Sequence, residues 1–237
     1  MCRIAGVHTR DPKDIDLAFT ALKRACQDEC IGAQLWGKGR DRDGGGFAIY
    51  TKGRLFTYKT DNPIYEDRGQ LPDLSPYAGA DIYAIFHGRW GPHIKLPVSI
   101  RVGSKETFFT TNATSIGLNS FRDIAANNIG LEINWKTGEA KLKHQNAFRI
   151  SKSKAKRMPD VRAEYWTMYE NTLPGGGRVI MSSTLAVQGL GGTPISQKTS
   201  RGAKTYFIKW TFAVAAWKIK EVLKGLHRNP EYKNQPA

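Results

Sequence analysis

The sequence predicts an α+β fold rich in antiparallel strands. Short runs of β-branched and aromatic residues alternate with turn signals, most clearly at Lys52-Gly53 and Lys136-Thr137-Gly138. One long stretch near the start has helical spacing, and a second closes the chain. The 237 residues contain no internal repeat, which removes solenoids and propellers from consideration.

Taken in order, Arg3 to Val7 reads as a first strand. Asp11-Pro12 supplies a cap and first turn for a helix from about Asp14 to Cys30, in which Ile15, Phe19, Leu22, Ala25 and Cys26 recur on one side. Cys26 and Cys30 lie one turn apart toward the core. Without a second pair or a nearby histidine they are packing residues rather than zinc ligands, and three cysteines make no disulfide framework. A loop of glycines and charges runs from Gly37 to Gly46, followed by a hairpin of Phe47–Thr51 and Arg54–Lys59. Pro- and Asp-rich connections reach Gly79. Asp81–His87, Val98–Val102 and Glu106–Thr110 read as strands, and Ser120–Asn127 as a helix. Leu131–Trp135 and Glu139–Lys143 flank the Lys136-Thr137-Gly138 turn. Ser151–Lys156 is a basic loop, Val179–Ser183 a strand and Gly189–Gly192 a turn. From Tyr206 to Leu226 the pattern is mostly helical, with Trp210, Val214 and Trp217 on one face and Phe212, Ile219 and Val222 on another.

A hydrophobic content of 40% places the chain among soluble globular proteins. No apolar run approaches the roughly 20 residues of a membrane span, and the start has no signal-peptide core, so a cytoplasmic protein without membrane contact is expected. The net charge of +15 is unevenly spread: residues 139–237 hold 18 basic and six acidic residues, against 18 and 15 before them. Such asymmetry fits a polyanionic partner, either nucleic acid or an acidic subunit. Lys141, Lys143, Arg149, Lys152, Lys154, Lys156 and Arg157 cluster near Phe148 and Trp166, a pattern suited to phosphate contacts with base stacking.

Cys2 stands directly after Met1. An aminopeptidase removes an initiator Met before a small residue, and removal here would put a thiol and a free α-amine on one residue. The thiol titrates near 8.5 and the amine at about 7.7 to 8.0 in isolation. The amine, directly or through water, can therefore take the thiol proton and return it to a leaving group. The alternative is a small buried cysteine that opens the first strand.

Met1-Cys2-Arg3-Ile4-Ala5-Gly6-Val7 resembles the start of the class II glutamine amidotransferases, the N-terminal-nucleophile glutaminase domains. Four further segments occur in that family's order over roughly the first 125 residues. Asp43-Gly44-Gly45-Gly46-Phe47-Ala48-Ile49-Tyr50 resembles the loop before its second strand. His87-Gly88-Arg89-Trp90 resembles its His-x-Arg-Trp motif, whose arginine holds the substrate α-carboxylate, a role suited to the planar guanidinium fork. Thr111-Asn112-Ala113 falls where the family has His-Asn-Gly, the oxyanion hole, in which one donor is typically worth about 3 kcal/mol. Asn119-Ser120-Phe121-Arg122-Asp123 resembles the helix start that follows.

The resemblance implies a four-layer α/β/β/α sandwich of the Ntn-hydrolase type over residues 1–195, with residues 196–237 as a basic helical extension. It implies Cys2 as nucleophile, Asn112 and Ala113 as oxyanion donors, and substrate contacts from Arg89, His87, Trp90 and Gly44, with no metal or cofactor. The sequence departs from the pattern in three places. Ala113 replaces a glycine, Gly91-Pro92-His93-Ile94 replaces an Ala-Thr-His run, and Asn134–Gly138 lacks the aspartate that grips the substrate amine. Asp123 and Glu132 are alternative sources of that carboxylate. With no acceptor domain in evidence, the expected activity is hydrolysis of glutamine or another small amide, releasing ammonia to a separate acceptor or synthase subunit. The alternative is an inactive amidotransferase-like protein that binds nucleic acid or a ribonucleoprotein through Lys152, Lys154, Lys156 and Arg157.

Overall fold

Strand β1 (Arg3–Thr9) runs through the middle of the molecule, with every residue but His8 buried. The computed structural model describes residues 2–27, 43–67, 71–89, 97–115, 124–149, 168–182, 185, 190–195 and 206–207. After β1 come helix α1 (Pro12–Gln27), the hairpin of β2 (Gly45–Thr51) and β3 (Arg54–Thr60), a 3-10 turn at Ser75–Tyr77 and β4 (Ile82–Gly88). Four strands follow: β5 (Val98–Val102), β6 (Lys105–Ser115), β7 (Ile124–Asn134) and β8 (Glu139–Arg149). β9 (Met168–Thr172), β10 (Arg178–Ser182) and the two-residue strands β11 (Thr193–Pro194) and β12 (Tyr206–Phe207) complete the described elements.

These strands form two sheets, ordered β11-β9-β10-β1-β4-β2-β3 and β12-β8-β7-β6-β5, with antiparallel pairing throughout. The period-two alternation of a strand explains how they stack. Ala5, Val7, Phe47, Ile49, Ala84 and Phe86 of the first sheet face Ile15, Phe19, Leu22 and Cys26 of α1. The intervening residues Ile4, Ala48, Ile85 and Ile180 face Phe108, Ile129, Leu131 and Ile133 of the second sheet. The first sheet is thus covered on both sides, which is why β2 and β4 read as unbroken apolar runs. Gly6 lets the sheets close up, since a Cβ there would lie 2.6 Å from Ile129 Cγ2.

Asp14 anchors the start of α1. Its buried carboxylate accepts hydrogen bonds from the Gly175 and Gly177 N–H groups at 2.8 and 2.9 Å and from the Thr9 hydroxyl at 2.8 Å, tying the helix to the turn between β9 and β10. No helix among the described residues is long and apolar enough to cross a membrane.

The elements differ from the sequence reading in informative places. Residues 124–127, expected in a helix, begin β7, which pairs along its full length with both β6 and β8. Two ladders outweigh the helical preference of Ala125 and Ala126. β6, β7 and β8 all extend further than expected, and β9 was not anticipated. Tyr206 and Phe207, expected at the head of a helix, pair with β8. Residues 28–30, 116–123, 151–156 and 208–226 lie outside the described residues.

Candidate functional site

The antiparallel register assembles the site. β1 and β4 pair Arg3 with Gly88 and Ile4 with His87, so the same register continued by one residue sets Cys2 opposite Arg89. β2 and β4 pair Gly45 with Gly88 and Gly46 with His87. One step further, the Arg89 N–H donates to the Gly44 carbonyl at 2.9 Å, and the Asp43 N–H donates to the Arg89 carbonyl at 3.3 Å. Cys2, Arg89 and Gly44, separated by 42 to 87 positions in the chain, therefore share one row at one end of the first sheet. In the next row but one His87 is wholly buried, flanked by Ile4 and Gly46. On the far side of β1, Ser182 accepts from the Ile4 N–H at 3.4 Å. Cys2 is half-buried.

Arg89 is held by the segments beside it. Its Nε donates to the Asp43 carbonyl, and its Nη2 donates to Asp61 Oδ1 at 2.9 Å. Gly44 makes this approach possible. It sits at φ 109°, and a Cβ there would fall 2.1 Å from the Thr60 carbonyl oxygen, 3.0 Å from Asp61 Cα and 3.1 Å from Arg89 Nη2. The glycine is required by the geometry around the guanidinium, independently of any resemblance.

Asn112 and Ala113 lie within β6, opposite Asn127 and Ala126 of β7. Tyr50, at the other end of β2 from Gly44, donates through its hydroxyl to the Gly138 carbonyl in the turn after β7 at 3.0 Å. The chain direction then carries Asn112 and Asn127 toward the end of the sandwich that holds Cys2 and Arg89. Two positions before Asn112, the buried Thr110 hydroxyl has no hydrogen-bond partner among the described residues. Trp90 lies outside the described residues, as do Lys152, Lys154, Lys156, Arg157 and Asp123.

Glu132, one of the alternative carboxylates, is placed elsewhere. Leu131 and Ile133 on either side of it face the first sheet, so Glu132 points to the opposite face of the second. Burial pushes its carboxyl up, but hydrogen bonds from Lys143 and Lys141 outweigh that and hold it below the ordinary glutamate range. The carboxylate that stands at Arg89 is Asp61, which sequence reasoning passed over. Its context, Asp61-Asn62-Pro63, carries a turn signal and no chemical one. Its place beside Arg89 follows from the β2–β3 pairing of Gly45 with Thr60.

Among the described residues no group of His, Cys, Asp and Glu side chains is arranged to hold a metal ion. What this end of the first sheet offers is a thiol and a fixed guanidinium with an adjoining carboxylate in one row, and two rows further in an imidazole between the sheets. No family model matches the chain, and no curated protein matches its sequence.

Proposed function

We propose that the protein is an amide hydrolase of the class II glutamine amidotransferase type. The observation that supports this best is the shared row of Cys2, Arg89 and Gly44 at one end of the central sheet. A nucleophile and a carboxylate clamp have to sit within one small substrate's length of each other, a requirement that neighbouring positions on adjacent strands meet. On this reading the sandwich carries a further helical layer beyond the second sheet, completing the α/β/β/α arrangement.

In the proposed reaction Met1 is removed and the Cys2 α-amine takes the thiol proton. The thiolate attacks the γ-carboxamide carbon, and the tetrahedral oxyanion is held by Asn112 and the Ala113 N–H. Collapse breaks the C–N bond as the α-ammonium gives its proton to the departing amide nitrogen, which leaves as ammonia. Water, activated by the same amine, then hydrolyses the thioester. Arg89 holds the substrate carboxylate throughout, with His87, Trp90 and Gly44 shaping its pocket. The ammonia passes to a separate acceptor subunit.

Ammonia release from L-glutamine by the purified chain tests this reading. The expected outcome is steady turnover that Cys2→Ala abolishes, while Arg89→Lys raises KM at least about tenfold by removing the planar fork. Turnover that survives Cys2→Ala would remove the proposal.

A further inference from the structure

We infer that the layer between the two sheets holds an ordered water molecule, bound by the Thr110 hydroxyl and shared with the His87 ring. The inference comes from the buried side chains of β4 and β6 and stands independently of the amide-hydrolase reading.

Thr110 is wholly buried, and its hydroxyl has no hydrogen-bond partner among the described residues. It points inward. Phe108, two residues before it on β6, packs in the cluster between the sheets, and side chains two apart on a strand share a face. By the same rule His87, two residues after Ile85 of that cluster, points into the same layer, and it too is wholly buried. Gly6 fixes how the sheets meet, since it lets Ile129 Cγ2 close onto β1. Gly6 pairs with Ile85 and Ile129 pairs with Thr110, while β4 packs on β6. Thr110 therefore lies across the interface from β4 near Ile85. His87 follows one two-residue repeat, roughly 6.7 Å, further along that strand. Its partner on β2 is Gly46, which sends no side chain into the layer.

A buried hydroxyl without a partner is costly enough that native interiors seldom keep one, and an ordered water is the usual remedy. Such a water needs two to four polar partners, so a hydroxyl surrounded only by apolar side chains would stay dry. Here the imidazole of His87 supplies the second polar group. The two sheets stand about 10 Å apart, and Thr110 has a short side chain set one repeat away from His87, so the separation suits a bridging water rather than a direct bond. Thr110 can donate or accept, and a neutral imidazole has one donor and one acceptor nitrogen, so the chain from Thr110 through water to His87 closes for either tautomer. A water held on one ring nitrogen then decides which nitrogen carries the proton. Thr110 is thereby a positioning residue for the imidazole that stands two residues before Arg89.

A crystal structure of the full chain tests this without any variant. Density is expected for one water within hydrogen-bond distance of both Thr110 Oγ1 and a His87 ring nitrogen. A hydroxyl packed in dry surroundings, or bonded directly to His87, overturns the inference. A second test follows the His87 ring-nitrogen signals by nitrogen-15 magnetic resonance in Thr110→Val, which removes the hydroxyl and nearly keeps the shape. The variant is expected to show a lower urea midpoint than wild type and displaced His87 signals, whereas Thr110→Ser, which keeps the hydroxyl, leaves those signals in place. A raised midpoint with unmoved His87 signals in Thr110→Val would mean that the hydroxyl is simply a cost to the fold, and overturns the inference. A lowered midpoint with unmoved His87 signals overturns it as well, because a Thr110 that only packs would behave in that way.

Discussion

At the scale of single residues, charges in this protein are set by their nearest partners. Asp81 accepts hydrogen bonds from Arg10 Nε at 3.1 Å and, with the His8 ring protonated at Nε2, from that nitrogen at 3.0 Å. The Arg10 bond, then the His8 bond, holds the Asp81 carboxyl below the ordinary aspartate range. A carboxyl lowered in the folded state binds its proton more readily when unfolded. Its contribution is therefore complete above the unfolded value, about 3.9, and is lost as pH falls through the folded one. Both partners are well exposed, so Asp81→Asn is expected to cost about 0.2 to 1 kcal/mol near neutral pH. Thermal unfolding of variant and wild type should converge as pH falls below the unfolded value and through the lower, folded one. A gap that persists in acid would show that something other than this charge is at work. Cys2 and Arg89 stood out in the sequence as candidates because a cysteine after Met1 and a His-x-Arg-Trp run are local patterns. Asp61 was not, since its meaning comes from the β2–β3 pairing and from Gly44, neither of which a local reading supplies.

At the scale of elements, what the sequence revealed tracks how locally each element is determined. The β2–β3 hairpin was legible because its turn is decided by two residues. Lys52 and Gly53 both have positive φ, 43° and 76°, the type I′ geometry that matches strand twist. A lysine is strained there, whereas asparagine tolerates the left-handed region. Lys52→Asn is accordingly expected to stabilise the protein by about 0.5 to 1 kcal/mol, measured as a shift in the urea midpoint at constant slope. A destabilised variant would contradict the turn assignment. α1 was legible for a similar reason, from an apolar stripe and a Pro at its first position. The start of β7 was not. Ala125, Ala126 and Asn127 form a strand because β6 and β8 lie on either side, and those partners are set by the whole sheet.

At the scale of the whole molecule, strand pairing brings separated segments to one end of the first sheet. β1 begins just after Cys2, β4 contains His87 and leads into Arg89, and β2 begins beside Gly44, while β6 carries Asn112 along the facing sheet. The fold class was readable from strand and turn patterns, yet the strand order, with β1 at the centre between β10 and β4, came only from the assembled sheet. That order is what gives the N-terminal residues a buried, two-sided setting. The central claim is that this row is a working nucleophile site, and intact mass of the purified chain before and after 6-diazo-5-oxo-L-norleucine tests it most directly, with Cys2→Ala as control. The account predicts a chain lacking Met1 that gains one adduct, absent in Cys2→Ala. A chain that retains Met1 and gains no adduct would contradict it.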